Sequence, residues 1–360
     1  MILSVINLRD AHPKGAPRLR GVFVFAARVG NAILATAATL VAAALPLAAQ
    51  QQPVKPMAGP RATALRVTNL YISPDTGAQK VSRVQIGREM VVAEKSGPWM
   101  RVYANTDIEE ERGPDTPEFG SDESTPPISG WIQAKGVVDE ATPNGDQILM
   151  GAAAGEESEA SDPRGPANAA QSARLLYRRL AEMFPNSPLA GNAAWRAADI
   201  KWQLAKADAS TLRSSKEKEP YMREQMDEDD LKKVIKIFPR TRWAAFAAFD
   251  LIDNKLCGDW QGSPDCPEKE AGYYEKYADE YPDGPRTAQA LYDAVYRMAV
   301  LTNMFEASGD DKKAGQARSH AHDLADRLKQ HFADSDYSYR AGSLVYKLDQ
   351  DVPVFGIDLQ

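Results

Sequence analysis

Four times between residues 167 and 349, a run of apolar residues at three- and four-residue spacing ends on an aromatic side chain, turns, and starts again. The breaks read Met183-Phe184-Pro185-Asn186-Ser187-Pro188, Ile237-Phe238-Pro239-Arg240-Thr241-Arg242, Glu280-Tyr281-Pro282-Asp283-Gly284-Pro285 and His331-Phe332-Ala333-Asp334-Ser335-Asp336. Proline lacks the amide hydrogen that a continuing helix needs, so the first three breaks stop their helices there, and the turn residues Ala333-Asp334-Ser335 stop the fourth. Before the first break Ala169, Ala173, Leu176, Tyr177 and Leu180 share one helical face. After it, Ala193, Ala197, Ile200 and Leu204 form one apolar side and Trp195, Ala198 and Trp202 another. A helix apolar on two sides must lie between neighbours, and an isolated hairpin cannot supply them, so the chain is constrained to stack about four hairpins into an array. Trp195, Phe246 and Leu291, at roughly equivalent places in the second helices, are expected between hairpins.

The breaks begin at 183, 237, 280 and 331, spacings of 54, 43 and 51 residues. These exceed the roughly 34 residues of a regular tetratricopeptide repeat, so extra residues sit between hairpins. The aromatic-Pro-x-Ser turn followed by an Ala-rich second helix resembles the tetratricopeptide arrays of bacterial envelope proteins, such as the outer-membrane barrel-assembly lipoprotein and the Tol-Pal coordinator. That resemblance implies a surface that docks a protein partner, for which Tyr273, Arg286 and Arg340 are candidates.

Upstream, residues 62–138 change to short β-branched runs between turn residues, the pattern of a small β domain. Trp99, Arg101 and Tyr103 fall on one face of a strand and Met100 and Val102 on the other. Val67-Thr68, Asn69-Leu70, Ile86-Gly87-Arg88, Ser96-Gly97-Pro98-Trp99-Met100-Arg101-Val102 and Gly130-Trp131-Ile132 resemble the bacterial SH3-type domain of envelope proteins. The resemblance implies an SH3-like barrel that binds cell-wall peptide, peptidoglycan or an envelope protein. Two features depart from it: Tyr71-Ile72 replaces an expected arginine, and residues 104–129 hold an acidic, proline-containing insertion read as a solvated loop. Tyr71, Trp99 and Trp131 are candidates for a stacking groove, the alternative being that both tryptophans fill the core.

Residues 1–49 carry a net charge of +4 and a 14-residue apolar run at 32–45, then Pro46 and Leu47-Ala48-Ala49. This reads as a signal peptide cut after Ala49, an uncut anchor being the alternative, and places the chain in the periplasm or outside the cell. A linker spans 50–61; residues 139–166, rich in Gly, Ala, Glu and Ser, read as a disordered acidic linker, and 350–360 as a tail. With the leader removed from a total of −7 the remainder carries −11, which repels nucleic acid. No second apolar stretch suggests an integral membrane domain in the mature chain.

The two cysteines, Cys257 and Cys266, flank a short loop between the second and third hairpins and are expected to pair in an oxidising compartment. His320 and His322, two apart, point away from each other on a helix and cannot share a metal. No serine or cysteine nucleophile has a base in a recognisable motif, and no glycine-rich phosphate loop opens a helix. The acidic insertion lacks the alternating ligand spacing of a calcium loop. The expectation is therefore a multidomain, non-enzymatic adaptor without cofactor or metal: an all-β SH3-like barrel followed by an all-α helical-hairpin solenoid. The alternative is an accessory regulatory or substrate-recognition subunit of an envelope hydrolase or outer-membrane assembly machine that does not touch peptidoglycan.

Overall fold

The computed structural model describes residues 58–107 and 127–354. The leader 1–49, most of the linker 50–61, residues 108–126 of the acidic insertion and the end of the tail lie outside the described residues. Seven strands form one antiparallel sheet: β1 (Arg61–Ala64), β2 (Thr68–Tyr71), β3 (Lys80–Val84), β4 (Glu89–Ser96), β5 (Trp99–Ala104), β6 (Ile128–Gln133) and β7 (Val137–Asp139). Their order is β3-β2-β6-β5-β4-β1-β7. Alternation in β5 is as the sequence requires: Met100, Val102 and Ala104 are buried, while Trp99, Arg101 and Tyr103 face the other way. Leu70, Val84, Met90, Met100, Val102 and Ile132, drawn from five strands, make one apolar cluster, so the sheet curls over its own inner face.

The expected closed barrel is not what forms. No ladder joins the edges β3 and β7 among the described residues. The β7 end is occupied instead: Val138, Leu65 and Ile86 belong to a cluster with helical side chains, and helices rather than β3 cover that edge.

Nine helices follow among the described residues: α1 (Gly145–Ser161), α2 (Ala169–Met183), α3 (Ala190–Ser210), α4 (Asp229–Ile237), α5 (Arg242–Asp250), α6 (Asp265–Glu280), α7 (Thr287–Ser308), α8 (Asp311–His331) and α9 (Asp336–Asp349). The helices α2 to α9 pair as four hairpins at the four breaks. At every break the aromatic residue, Phe184, Phe238, Tyr281 or Phe332, ends the first helix with φ between −117° and −137° and ψ between 44° and 65°. Its carbonyl then accepts a hydrogen bond from the amide three residues on, at 2.9 to 3.4 Å. The fourth break has alanine in place of proline and folds the same way. The repeated backbone geometry therefore follows from the aromatic and the polar turn residues together.

The segment 139–166 is a correction: most of it is helix α1. Leu149 and Ala153 are buried against α2, and the Tyr177 hydroxyl donates to Glu157 at 2.9 Å. Its packed apolar residues are few, Leu149, Met150, Ala152 and Ala153, all within one and a half turns, so they do not stand out in a Gly- and Glu-rich composition.

Nor are sheet and array separate bodies, for the described residues from Gly59 onward form one compact unit. Gly87, at φ +77°, lets the β3–β4 turn lie on α2, where a side chain would meet the Leu175 Cβ at 2.5 Å. Beside it Arg179 of α2, 1% exposed, sits among carboxylates of the sheet side, with Glu89 at 2.8 Å and Asp107 at 3.5 Å, and reaches Glu182 of its own helix at 2.9 Å. Arg61 and the Thr106 hydroxyl complete the Glu89 shell at 2.7 and 2.6 Å, and Arg88 lies 3.6 Å from Asp107. Removing Arg179 takes one cation from each of two enclosed carboxylates, leaving Glu89 with Arg61 and Thr106 and Asp107 with Arg88 at 3.6 Å. Arg179→Met is expected to lose about 3 to 5 kcal/mol in urea unfolding. Arg340→Ala, which breaks an exposed pair with Asp336, is expected to lose less than about 1 kcal/mol.

Candidate functional site

Two surfaces carry side chains that are held in place yet only partly covered. The first is the outer face of the sheet. Strand register sets Tyr71 opposite Trp131 and Trp131 opposite Arg101, while Trp99 faces Gln133. Tyr71 and Trp99 meet edge to face with ring centroids 5.7 Å apart. The three residues singled out in the sequence are thus brought together, on the side away from the core cluster. Tyr71 is nearly covered; both tryptophans are partly buried, so they neither fill the core nor stand free. Arg101 beside them is exposed. Flat apolar rings bordered by a cation and amides offer stacking to an extended ligand and a few polar contacts to orient it.

The second surface runs along the second helices of the hairpins. Ten positions after the turn prolines stand Trp195, Phe249 and Tyr292, and eleven after the later two stand Asp250 and Asp293. Trp195 of α3 stacks on Phe246 of α5 at 4.3 Å and on Trp243 at 5.8 Å. Gly191 makes room for Trp243, since a side chain there would meet its ring at 2.6 Å. The Arg242 guanidinium lies 4.7 Å over Trp243, and Arg196, which pairs with Glu157 and Asp199, lies 5.1 Å over Trp195. Of the three residues expected between hairpins, Leu291 is fully buried, while Trp195 and Phe246 are packed between α3 and α5 with part of each ring uncovered.

Acidic groups lie among these rings. Burial and the neighbouring Asp199 push the Asp250 carboxyl up to about 7, and burial pushes Asp293 up to about 6 against the pull of Arg297. Asp250 and Asp293 were missed in the sequence, where Trp243 reads only as part of the apolar face with Phe246, Phe249 and Ile252. Counting positions from each turn proline, instead of matching apolar faces, would have aligned the two acids.

The three partner-docking candidates are placed apart. Arg286 lies over Phe246 and Phe249 at 5.7 Å each and donates to Gln289 at 2.9 Å, so it is a packed member of the joint between hairpins. Tyr273 is partly buried against the largest core cluster, with the Lys255 ammonium 5.8 Å from its ring. Arg340 is exposed on α9, near Tyr292 and Tyr337 at 5.9 Å, and pairs with Asp336 at 2.9 Å. Between α2, α3 and α4 opens a cavity of about 180 Å³, floored by Ala197, Ala198, Val234 and Phe238. No group of three or more potential metal ligands gathers among the described residues, and none of their helices is long and apolar enough to cross a membrane.

Cys257 and Cys266 are joined, as expected. The loop they close docks on the connection between α3 and α4: Gly258 and Asp259 amides donate to the carbonyls of Glu217 and Lys216 at 3.0 and 3.3 Å. Inside it the buried Glu270 accepts from the Cys257 amide at 2.8 Å and the Trp260 indole at 3.2 Å, and pairs with Arg297 at 2.8 Å. The C257S/C266S variant is expected to lose about 2 to 3 kcal/mol against the oxidised protein in urea unfolding, and thiol reductant is expected to cost the wild type the same amount and the variant nothing.

No family model matches the chain, and no curated protein matches it. Among solved structures it is similar to the DHF58 filament, at 16% identity and a TM-score of 0.21 over 57% of this chain and 93% of the other. A de novo designed helical repeat protein, DHR64, gives 15%, 0.21, 57% and 94%, and the DHF119 filament 15%, 0.20, 58% and 97%. At these scores the likeness carries no argument about this chain, whose hairpin array is read from its own packing.

Proposed function

We propose that this chain is a non-catalytic cell-envelope scaffold, periplasmic or secreted, whose helical hairpins dock a protein partner. One observation carries the reading: the ring stack of Trp195, Trp243 and Phe246, with Arg242 and Arg196 lying over it, is packed between α3 and α5 and partly uncovered. Rigid aromatic side chains lose little entropy when a partner covers them, which is why such groups dominate binding energies. A packed array of hairpins also holds its docking face without rearrangement. The sheet's outer row of Tyr71, Trp131 and Trp99 suits an extended ligand, and the SH3-type resemblance makes cell-wall peptide the first to try.

Charge reversal separates docking from folding. Arg242→Glu is expected to abolish crosslinks to the partner in the native envelope, identified by mass spectrometry, while the helical circular dichroism signal is kept and stability falls by less than about 1 kcal/mol. Loss of crosslinks only in variants that also lose helix signal contradicts the docking role. For the sheet, the wild type is expected to pellet with purified cell-wall sacculi and Trp131→Ala to remain in solution. A wild type that stays in solution removes the cell-wall part and leaves an accessory subunit that docks protein alone.

A further inference from the structure

We propose that the cavity between α2, α3 and α4 binds one aromatic side chain of an acidic peptide segment on a partner protein: the ring fills the cavity, and the flanking carboxylates sit on the cations at its mouth. The cavity exists because α3 is short of side-chain volume there. Nine, twelve and thirteen residues after the turn proline, the second hairpin carries Ala248, Leu251 and Ile252 and the third Leu291, Ala294 and Val295. At the same places α3 carries Ala194, Ala197 and Ala198. Ala181 of α2 borders the same space, and Val234 and Phe238 close its floor.

The volume of about 180 Å³ sets the size of the occupant. An apolar cavity of about 150 Å³ takes up one benzene, so a single phenyl ring is the matching group. The cavity opens to solvent, which gives a ring carried on a peptide a way in. Ile237 borders it and is 54% exposed, an apolar side chain in water that the arriving segment covers. The Trp195 stack faces α5 instead, so the cavity is a separate site and holds or fails independently of docking on those rings.

The mouth selects the charge of what flanks the ring. Three cations, Arg174, Arg178 and Lys233, and two acids, Glu182 and Asp230, border the cavity. Both acids are already matched, Glu182 by Arg178 at 2.7 Å and Arg179 at 2.9 Å, and Asp230 by Lys201 at 3.0 Å. Lys233 makes no ion pair among the described residues. Arg174 is 6% exposed, and its Nε donates to the neutral Gln171 at 3.1 Å. Burial and the neighbouring Arg178 push the Arg174 guanidinium down to about 10 against the pull of Asp230, so a carboxylate brought beside it is favoured. The mouth is thus positive on a chain whose net charge is −7, and it draws acidic segments by local sign.

The test titrates the full chain with two capped peptides, Glu-Glu-Phe-Glu-Glu and Glu-Glu-Ala-Glu-Glu, while its alanine methyl groups are followed by NMR. The phenylalanine peptide is expected to move the methyls of Ala181, Ala194 and Ala197 by its ring current and to leave those of Ala317 and Ala341, on α8 and α9, in place. The alanine peptide is expected to bind at least about tenfold more weakly, the loss of one buried ring. Equal affinities, no binding, or shifts spread over α8 and α9 overturn the site. Lys233→Glu is expected to weaken the phenylalanine peptide by about threefold to tenfold, and Lys347→Glu, the same reversal on α9, to leave it unchanged. Equal effects of the two reversals overturn the charged mouth. Ala197→Leu fills the cavity from its wall and is expected to abolish binding with the helical circular dichroism signal kept; undiminished binding overturns the cavity as the seat of the ring. Hydrocinnamate, a free ring with one carboxylate, is expected to bind at least about tenfold more weakly than the phenylalanine peptide, and equal affinity overturns a peptide as the occupant.

Discussion

Arg179 is the charge on which the rest of the molecule hangs. It lies on the sheet-facing side of α2, almost without solvent, and its guanidinium gathers carboxylates from the first residue of β4, from the chain just after β5 and from its own helix. Three separate stretches of sequence therefore have to be in place before that cation is compensated. An enclosed cation without its acids costs several kcal/mol, so partial assemblies are penalised. The apolar contacts around it, Leu175 under Gly87 and Val138 among the α1 and α2 side chains, contribute area but little direction. The ion cluster fixes which way the sheet faces the first hairpin, and the hairpins then add to α2 and α3 in turn.

Beyond the first hairpin, large rings take over from charge. Phe249 packs on Tyr274 and Tyr277 at 6.0 and 5.3 Å, and Tyr277 on Tyr281 at 5.2 Å, filling the space between the second and third hairpins. Short helices of nine residues, α4 and α5, cannot bury much on their own. They are held by what stacks on either side of them.

The hairpins were visible in the sequence because two signals coincide at each break: an aromatic residue closes an apolar helical face, and a turn residue stops the helix. At Phe332 the proline is replaced by Ala333, and the polar turn residues Asp334 and Ser335 still accompany the aromatic, Ser335 capping the next helix. The strand alternation around Met100 and Val102 was equally plain, since period two has no rival over six residues. Helix α1 was not, because its packed residues, Leu149, Met150, Ala152 and Ala153, cluster at one end and the rest of the helix is Gly, Ala, Glu and Ser without a period. Closure of the sheet was misjudged for another reason. Local strand patterns say what pairs with what nearby, whereas the fate of the edge strands was decided by α1 and α2 covering β7 and β1, a contact between distant segments. Tyr71, Trp99 and Trp131 were gathered correctly by face, but Asp250 was overlooked because a single acid on an aromatic helix reads as its solvated side.

The four turns share one backbone geometry, and the unequal spacing is absorbed elsewhere: in the 211–228 connection, in the disulfide-closed loop and in the longer helices α7 and α8. Because each first helix runs antiparallel to its second, all the turns come to one end of the stack and the irregular connections to the other. The two ends thus speak in different ways to a visiting molecule. The turn end repeats one backbone motif four times. The opposite end presents a unique contour, cross-braced and non-repeating, suited to telling one visitor from another.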